Sequence, residues 1–268
     1  MTIPEDAPID PPLADPLPAN HLTADLLTID RGNSTLDLML HGDPSMRRRL
    51  PVRELDDFGS VLAALPRRPS RAVGATVVSG GLQLVAANLA RVGLRLELAG
   101  VDLPCPLPTR YGDAKTLGVD RWVTALAAHR EHGAAIVIDC GTAITVDAVD
   151  ATGIFLGGAI APGLRAMAAG LAAAAPALPT FDPSRPVSVP ATSSPAAVDA
   201  GVVLAFAGAV DRLVADLRSA FSGSVPVLIT GGDAELYLRH GRVATRHVSD
   251  LLHRGLRWLA KSTSASSA

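Results

Sequence analysis

Lysine, cysteine and aromatic residues are all scarce in this chain of 268 residues. Lysine occurs only at Lys115 and Lys261, so nearly all positive charge is arginine, and the formal net charge is −2. Without a basic excess, neither nucleic acid nor an anionic membrane is expected as a partner. The two cysteines, Cys105 and Cys140, cannot build a disulfide framework, which points to the cytoplasm. Aromatic residues make up 3% of the chain, too few to stack a run of nucleobases. The apolar stretch 153–179 is interrupted by Pro162, Arg165 and Pro176, which argues against a membrane span. No G-x-x-x-x-G-K-[ST] phosphate loop and no G-x-S-x-G nucleophile elbow occur, and His129 and His132 lack a matching third ligand for a metal.

What remains is a chain rich enough in apolar residues, at 48%, to bury sizeable cores. Residues 1–21 carry six prolines and no arginine or lysine, and read as a disordered leader rather than a targeting signal. The serine- and alanine-rich segment 261–268 reads as a flexible tail. Between them, short apolar strands alternate with helical patterns in each half, the signature of two α/β domains of related topology. The expected domains are 22–132 and 133–260, with the junction near 130–134. Strands are expected at 72–78, 94–98, 135–139, 144–149, 154–156 and 225–229. Helices are expected at 57–65, 81–92, 120–130, 164–174, 195–220 and 248–260, with Asp120 as an N-cap and Gly133 as a stop. Within the long helix, Val202, Ala205, Phe206, Ala209, Val210 and Leu213 form a stripe for the core or a dimer face.

One loop occurs twice. Leu26-Leu27-Thr28-Ile29 empties into Asp30-Arg31-Gly32-Asn33-Ser34, and Ala135-Ile136-Val137-Ile138 empties into Asp139-Cys140-Gly141-Thr142-Ala143. Apolar and β-branched residues resume after each, so both read as β-hairpins whose turns carry a carboxylate. Glycine lets backbone amides approach a ligand, and a carboxylate can hold a hydrated divalent cation. Two such hairpins facing each other would grip a nucleoside triphosphate and its magnesium. The copies lie roughly a hundred positions apart, too far for a solenoid and right for a duplicated domain.

Three further segments carry chemistry. Val227-Leu228-Ile229-Thr230-Gly231-Gly232-Asp233 is a strand opening into a glycine turn before a helix, where a nucleoside could lie against backbone. Gly118-Val119-Asp120-Arg121 opens a helix near Tyr111. Asp120 is then either an N-cap or a general base for a substrate hydroxyl, with Arg121 near an anionic group. Gly157-Gly158-Ala159-Ile160-Ala161-Pro162-Gly163 leaves room for either a ligand or a neighbouring backbone.

Taken in order, Asp30-x-Gly-Asn-Ser, Gly118-x-Asp-Arg, Asp139-x-Gly-Thr-Ala-x-Thr, Gly157-Gly-x-Ile-x-Pro-Gly and Thr230-Gly-Gly make the chain resemble type III pantothenate kinases over residues 22–258. The resemblance implies two duplicated ribonuclease-H-like domains of the acetate and sugar kinase, heat-shock ATPase and actin superfamily, with a cleft between them. It implies ATP-dependent phosphorylation of pantothenate, with Mg²⁺, a monovalent cation such as K⁺ or NH₄⁺, and a homodimer whose interface helps build the pantothenate site. Carried onto these residues, it implies that Asp30, Arg31, Gly32, Asn33, Ser34, Thr35, Leu36 and Asp37 cradle ATP phosphates and magnesium, and that Thr142 touches ATP. Tyr111, Gly118, Val119, Asp120, Arg121 and Ser194 would contact pantothenate, Asp120 would take the proton from its hydroxyl, and Asp139 would ligate the monovalent cation. Arg31 stands where the family has a small or aliphatic residue, and Ser34 and Ser194 where it has threonine. Arg31 and the weak match around Ser194 feed a rival reading, a nucleotide-binding regulatory protein that has lost catalysis; another small hydroxylated substrate is a third.

Overall fold

The computed structural model describes residues 25–43 and 45–264. The expected leader 1–21 and the last residues of the expected tail lie outside them. The first sheet is built from β1 (Leu26–Arg31), β2 (Thr35–Leu40), β3 (Met46–Pro51), β4 (Arg71–Thr76) and β5 (Leu96–Leu98), in the spatial order β3-β2-β1-β4-β5. Strands β1, β2 and β3 form an antiparallel meander, and β4 and β5 add in parallel on the other side of β1. Helices α1 (Phe58–Ala63) and α2 (Gln83–Arg91) connect its later strands. The second half repeats this plan. Strands β6 (Ala135–Cys140), β7 (Ala143–Val149), β8 (Phe155–Pro162), β9 (Val227–Thr230) and β10 (Arg246–His247) take the order β10-β9-β6-β7-β8, with the same senses of pairing. This is a duplicated ribonuclease-H-like architecture.

Strand alternation sorts the cores. Leu27 and Ile29 of β1 point outward with Leu38, Val85 and Leu89 onto α1 and α2, whereas Leu26 points inward. Ile136 and Ile138 of β6 likewise point outward, toward α5 (Ser194–Leu217) and its buried Phe206 and Val210. Between the sheets lie α3 (Val119–His132) and α7 (Leu251–Ser264), whose Trp122, Leu126, Leu256 and Leu259 join Leu26, Val73, Val137 and Leu228 in one central cluster. Burial of eight consecutive residues of α3, Arg121–Ala128, follows from its sandwiched position. The two helices touch so closely that a Cβ on Gly255 would come within 2.1 Å of the Val123 carbonyl oxygen.

Four local expectations change. Asp120 is not the N-cap of α3: Gly118 is, without a side-chain cap, and Asp120 occupies the first turn. Strand β8 runs to Pro162 rather than stopping at 156, so the double glycine lies in a strand. Its reason is close backbone approach, since a Cβ on Gly158 would sit 2.2 Å from both the Asp147 carboxylate and the Val146 carbonyl. In α5, Ala205 is exposed, because the buried face runs through Val202, Val203, Phe206, Ala207, Val210 and Val214. The terminal helix α7 begins at Leu251 and continues through Ser264, into the segment expected to be a tail. Among the described residues no helix is long and apolar enough to cross a membrane.

Candidate active site

Both repeated loops are the hairpin turns the sequence leads one to expect, and they meet. The first closes with the Gly32 amide donating to the Thr35 carbonyl at 3.0 Å, the second with the Gly141 amide donating to the Ala143 carbonyl at 3.0 Å. Their tips touch across the cleft through the Ser34 and Thr142 hydroxyls, 3.3 Å apart. Asn33, Ser34, Thr35 and Thr142 are exposed at these tips, with Gly32 partly covered.

Beneath the tips, carboxylates converge. Asp30 is the penultimate residue of β1, Asp139 that of β6, and Asp120 stands in the first turn of α3. Burial, then the negative charges of Asp139, Asp120 and Asp37, push the Asp30 carboxyl up to about 8. Burial and then Asp120 and Asp147 push Asp139 up to about 7. Asp120 is also raised, by burial first, against the opposing Arg121 amide and charge. Raised carboxyls that repel one another are the chemistry of a cation site in which part of the ligand shell must come from elsewhere. No cluster of three or more histidine, cysteine or acidic side chains able to hold a metal alone occurs among the described residues. Asp30 and Asp139 therefore fit cations that arrive with phosphate oxygens and water, as magnesium does on nucleotides.

The turn after β9 completes the floor. Gly231 has φ +97°, and a Cβ there would lie 2.4 Å from the Asp139 carboxylate and from the Cys140 carbonyl, so only glycine lets the two loops stack. Gly163 plays the same part at the other flank, where a Cβ would come within 2.2 Å of the Gly141 carbonyl. The Gly157–Gly163 segment is thus explained by close packing at Gly158 and Gly163.

Around Asp120 the geometry is specific. Its carboxylate accepts the Arg121 amide at 2.8 Å, and a Cβ on Gly118 would lie 2.7 Å from it, so this glycine keeps the carboxylate in place. Arg121 itself turns inward. It is 5% exposed, donates from Nε to Asp147 at 3.1 Å and from Nη1 to the Tyr111 hydroxyl at 2.6 Å, and its guanidinium lies against the Tyr111 and Phe155 rings. Through these bonds Arg121 pins the start of α3 to β7 and so positions Asp120. Val119 packs against the central core, and Tyr111 shares that wall.

Other expected site residues lie elsewhere. Leu36 is fully buried in the outer core of the first sheet. Arg31 shares the parity of Leu27 and Ile29, so its side chain leaves the sheet on the face opposite Asp30. It is 7% exposed, and its Nε and Nη1 have no hydrogen-bond partner. Ser194, the first residue of α5, lines a groove of about 600 Å³ between α5 and α4 (Leu164–Ala174), with Met167, Leu171 and Ala205, and is not part of the carboxylate cluster.

Asp37 stands beside Asp30 and is held by its own neighbours. It is cross-strand partner to Asp30, yet it is occupied by Arg47 and Arg49 of β3 and by His253 of α7. Burial alone would raise its carboxyl, but the nearby His253 imidazole and hydrogen bonds from Arg47 and Arg49 outweigh burial and hold it well below the usual carboxylate range. His253 also meets Thr28, which meets His41, each at 2.8 Å, so a buried polar chain ties α7 to the hairpin. Burial, with the charges of His253 and Arg257, depresses His41 to about 3, so it is neutral. The sequence reading missed Arg47, Arg49 and His253; the period-2 placement of Arg47 and Arg49 on one face of β3 was the available signal.

Twin ribonuclease-H-like sheets with facing carboxylate hairpins and a third carboxylate at a helix start define an actin-like, ATP-dependent phosphotransferase. Known proteins narrow this. The family model for type III pantothenate kinase matches residues 26–216. A type III pantothenate kinase of Nocardia farcinica (strain IFM 10152) is 34% identical over 251 residues, covering 86% of this chain and 95% of that one. One from Rhodococcus jostii (strain RHA1) is 41% identical over 156 residues, 56% of this chain and 58% of that one. The chain belongs to the type III pantothenate kinase family. In fold it is similar to a putative Baf family transcriptional activator from Campylobacter jejuni, with a TM-score of 0.59 at 21% identity over 89% of this chain and 99% of that one.

Proposed function

We infer that this protein is an ATP-dependent pantothenate kinase, making 4′-phosphopantothenate, the first step of coenzyme A biosynthesis. The observation that carries the reading is the convergence of Asp30, Asp120 and Asp139 beneath two touching hairpins. Asp120 accepts the proton of the primary hydroxyl; its raised pKa makes it a better base than an ordinary carboxylate. The freed oxygen attacks the γ-phosphorus in line, the bond to the bridging oxygen breaks, and ADP leaves. The turn amides of Asn33, Ser34 and Thr142, which close neither hairpin, receive the charge that spreads over the phosphoryl oxygens. Asp30 would hold a divalent cation through the phosphates, and Asp139 a monovalent cation, K⁺ or NH₄⁺. Bound there, such cations neutralise the charge shared by the phosphates and carboxylates. Tyr111, Gly118, Val119 and Asp120 form the wall assigned to pantothenate.

In this reading the domain junction falls at 132–133, between α3 and β6, with α7 also packing against β1 and β4 of the first half. The exposed Ala205 face of α5 and the adjoining groove suit a homodimer, which would bring Ser194 toward a partner's substrate. Two free thiols are in keeping with the cytoplasm.

A coupled ADP-release assay tests the function. Turnover should depend on pantothenate in magnesium and potassium, and Asp120→Asn should lower kcat ~10²- to 10⁴-fold, the scale of a positioned base, with ATP binding retained. Turnover indifferent to pantothenate would refute the substrate; a fully active Asp120→Asn would refute the base.

A further inference from the structure

We propose that Arg49 is a phosphate-binding residue of the cleft, held in position by Asp37 and reaching from the edge of the first sheet to the glycine turn of the second. The proposal rests on the phosphotransfer reading above and names a group that reading does not use.

The strand registers set it up. Asp30 pairs with Asp37 across β1 and β2, and Asp37 pairs with Arg49 across β2 and β3, which aligns the three side chains in one row on the cleft face. Arg49 donates from Nε at 3.0 Å and from Nη2 at 2.8 Å, both to Asp37 Oδ2. That two-point hold uses one edge of the guanidinium and fixes its plane. Nη1 lies outside these bonds, 3.9 Å from where a Cβ of Gly232 would stand, so the side chain spans to the Thr230-Gly231-Gly232 turn. Arg49 is also the cation that lowers both Asp30 and Asp139, which places its charge near both hairpins. Its side chain is 48% exposed, so the guanidinium is accessible to a ligand.

The chemistry calls for such a group. A triphosphate entering between Asp30, Asp120 and Asp139 meets carboxylates on several sides, and cations alone must otherwise offset the repulsion. A guanidinium already oriented by a carboxylate offers its remaining N–H donors to an anion with little further loss of freedom. Arg47 is the second anchor of Asp37, through Nη2 at 2.6 Å, so Asp37 is itself fixed while it orients Arg49. Asp37 and its His253 neighbour are then positioning residues: they act on the nucleotide through Arg49.

Titration calorimetry with ATP, and with adenosine as a phosphate-free probe, separates this role from general support of the fold. Arg49→Gln should weaken ATP binding about 10- to 100-fold, the scale of a charge-assisted hydrogen bond, with adenosine binding unchanged. Arg49→Lys keeps the charge but not the two-point hold on Asp37, and should fall between Arg49→Gln and the parent protein. Asp37→Asn should weaken ATP in the same direction, again without affecting adenosine. ATP affinity of Arg49→Gln within about twofold of the parent, or parallel losses for ATP and adenosine in both Arg49 variants, would overturn the proposal. Pantothenate-dependent turnover of the parent protein is read separately: its absence would refute the kinase reading and leave the binding comparison to decide Arg49.

Discussion

Buried carboxylates gathered at one place lower the stability of a fold as they ionise, and Asp30 and Asp139 are the clearest case. From the ordinary value of 3.8 up to about 8 and about 7, the folded chain keeps protons on these groups that the unfolded chain has released. Because the folded state binds more protons, the contribution of these groups to stability falls as pH rises through that window. Asp30→Asn and Asp139→Asn remove the charge, so each variant should gain melting temperature relative to the parent as the cation-free protein is taken from about pH 5 to about pH 8. A gap that stays constant across that range would contradict the raised values. These two residues were legible in the sequence because a strand, an aspartate and a glycine turn recur as a unit. Arg49 and His253 were not, since their meaning comes from a cross-strand register and from a helix distant in the chain. The buried ion pair of Arg121 was hidden for a related reason: its partner Asp147 comes from β7, and nothing local to α3 announces it.

Elements were legible where periodicity acts alone and obscure where packing overrides it. The hairpins, α2 and α4 follow from alternation, helical spacing and glycine stops. Strand β8 did not, because Gly157 and Gly158 resemble a loop until Val146 and Asp147 of the neighbouring strand explain the missing side chains. Nor did the inward face of α7 reveal that it wedges between two sheets. The α3–α7 crossing carries the mechanical link to the site, because α3 presents Asp120. Gly255→Ala would drive a methyl into the Val123 carbonyl and should destabilise the protein by about 1–3 kcal/mol, with turnover falling as α3 shifts. Gly208→Ala in α5, where an added Cβ meets nothing within 4 Å, should instead stabilise by up to ~1 kcal/mol through helix propensity. Thermal melts of the two variants check this; a neutral Gly255→Ala would show that the helices can separate freely.

At the scale of the molecule, duplication was the most readable fact, since two copies of one loop at domain spacing implied two copies of one sheet. The sequence could not show that α3 and α7 form a common layer, so that the halves share a core as well as a cleft. That shared core gives the cleft its function: hairpins on separate sheets are held near enough for their tips to touch. The most direct test locks those tips together. With Cys105→Ser removing the exposed native thiol, Ser34→Cys and Thr142→Cys replace the touching hydroxyls, and oxidation should join them. The joined protein should lose ATP binding, measured by calorimetry, and recover it on reduction. A cross-linked protein that binds ATP as the reduced form does would show that the nucleotide does not lie between the hairpins.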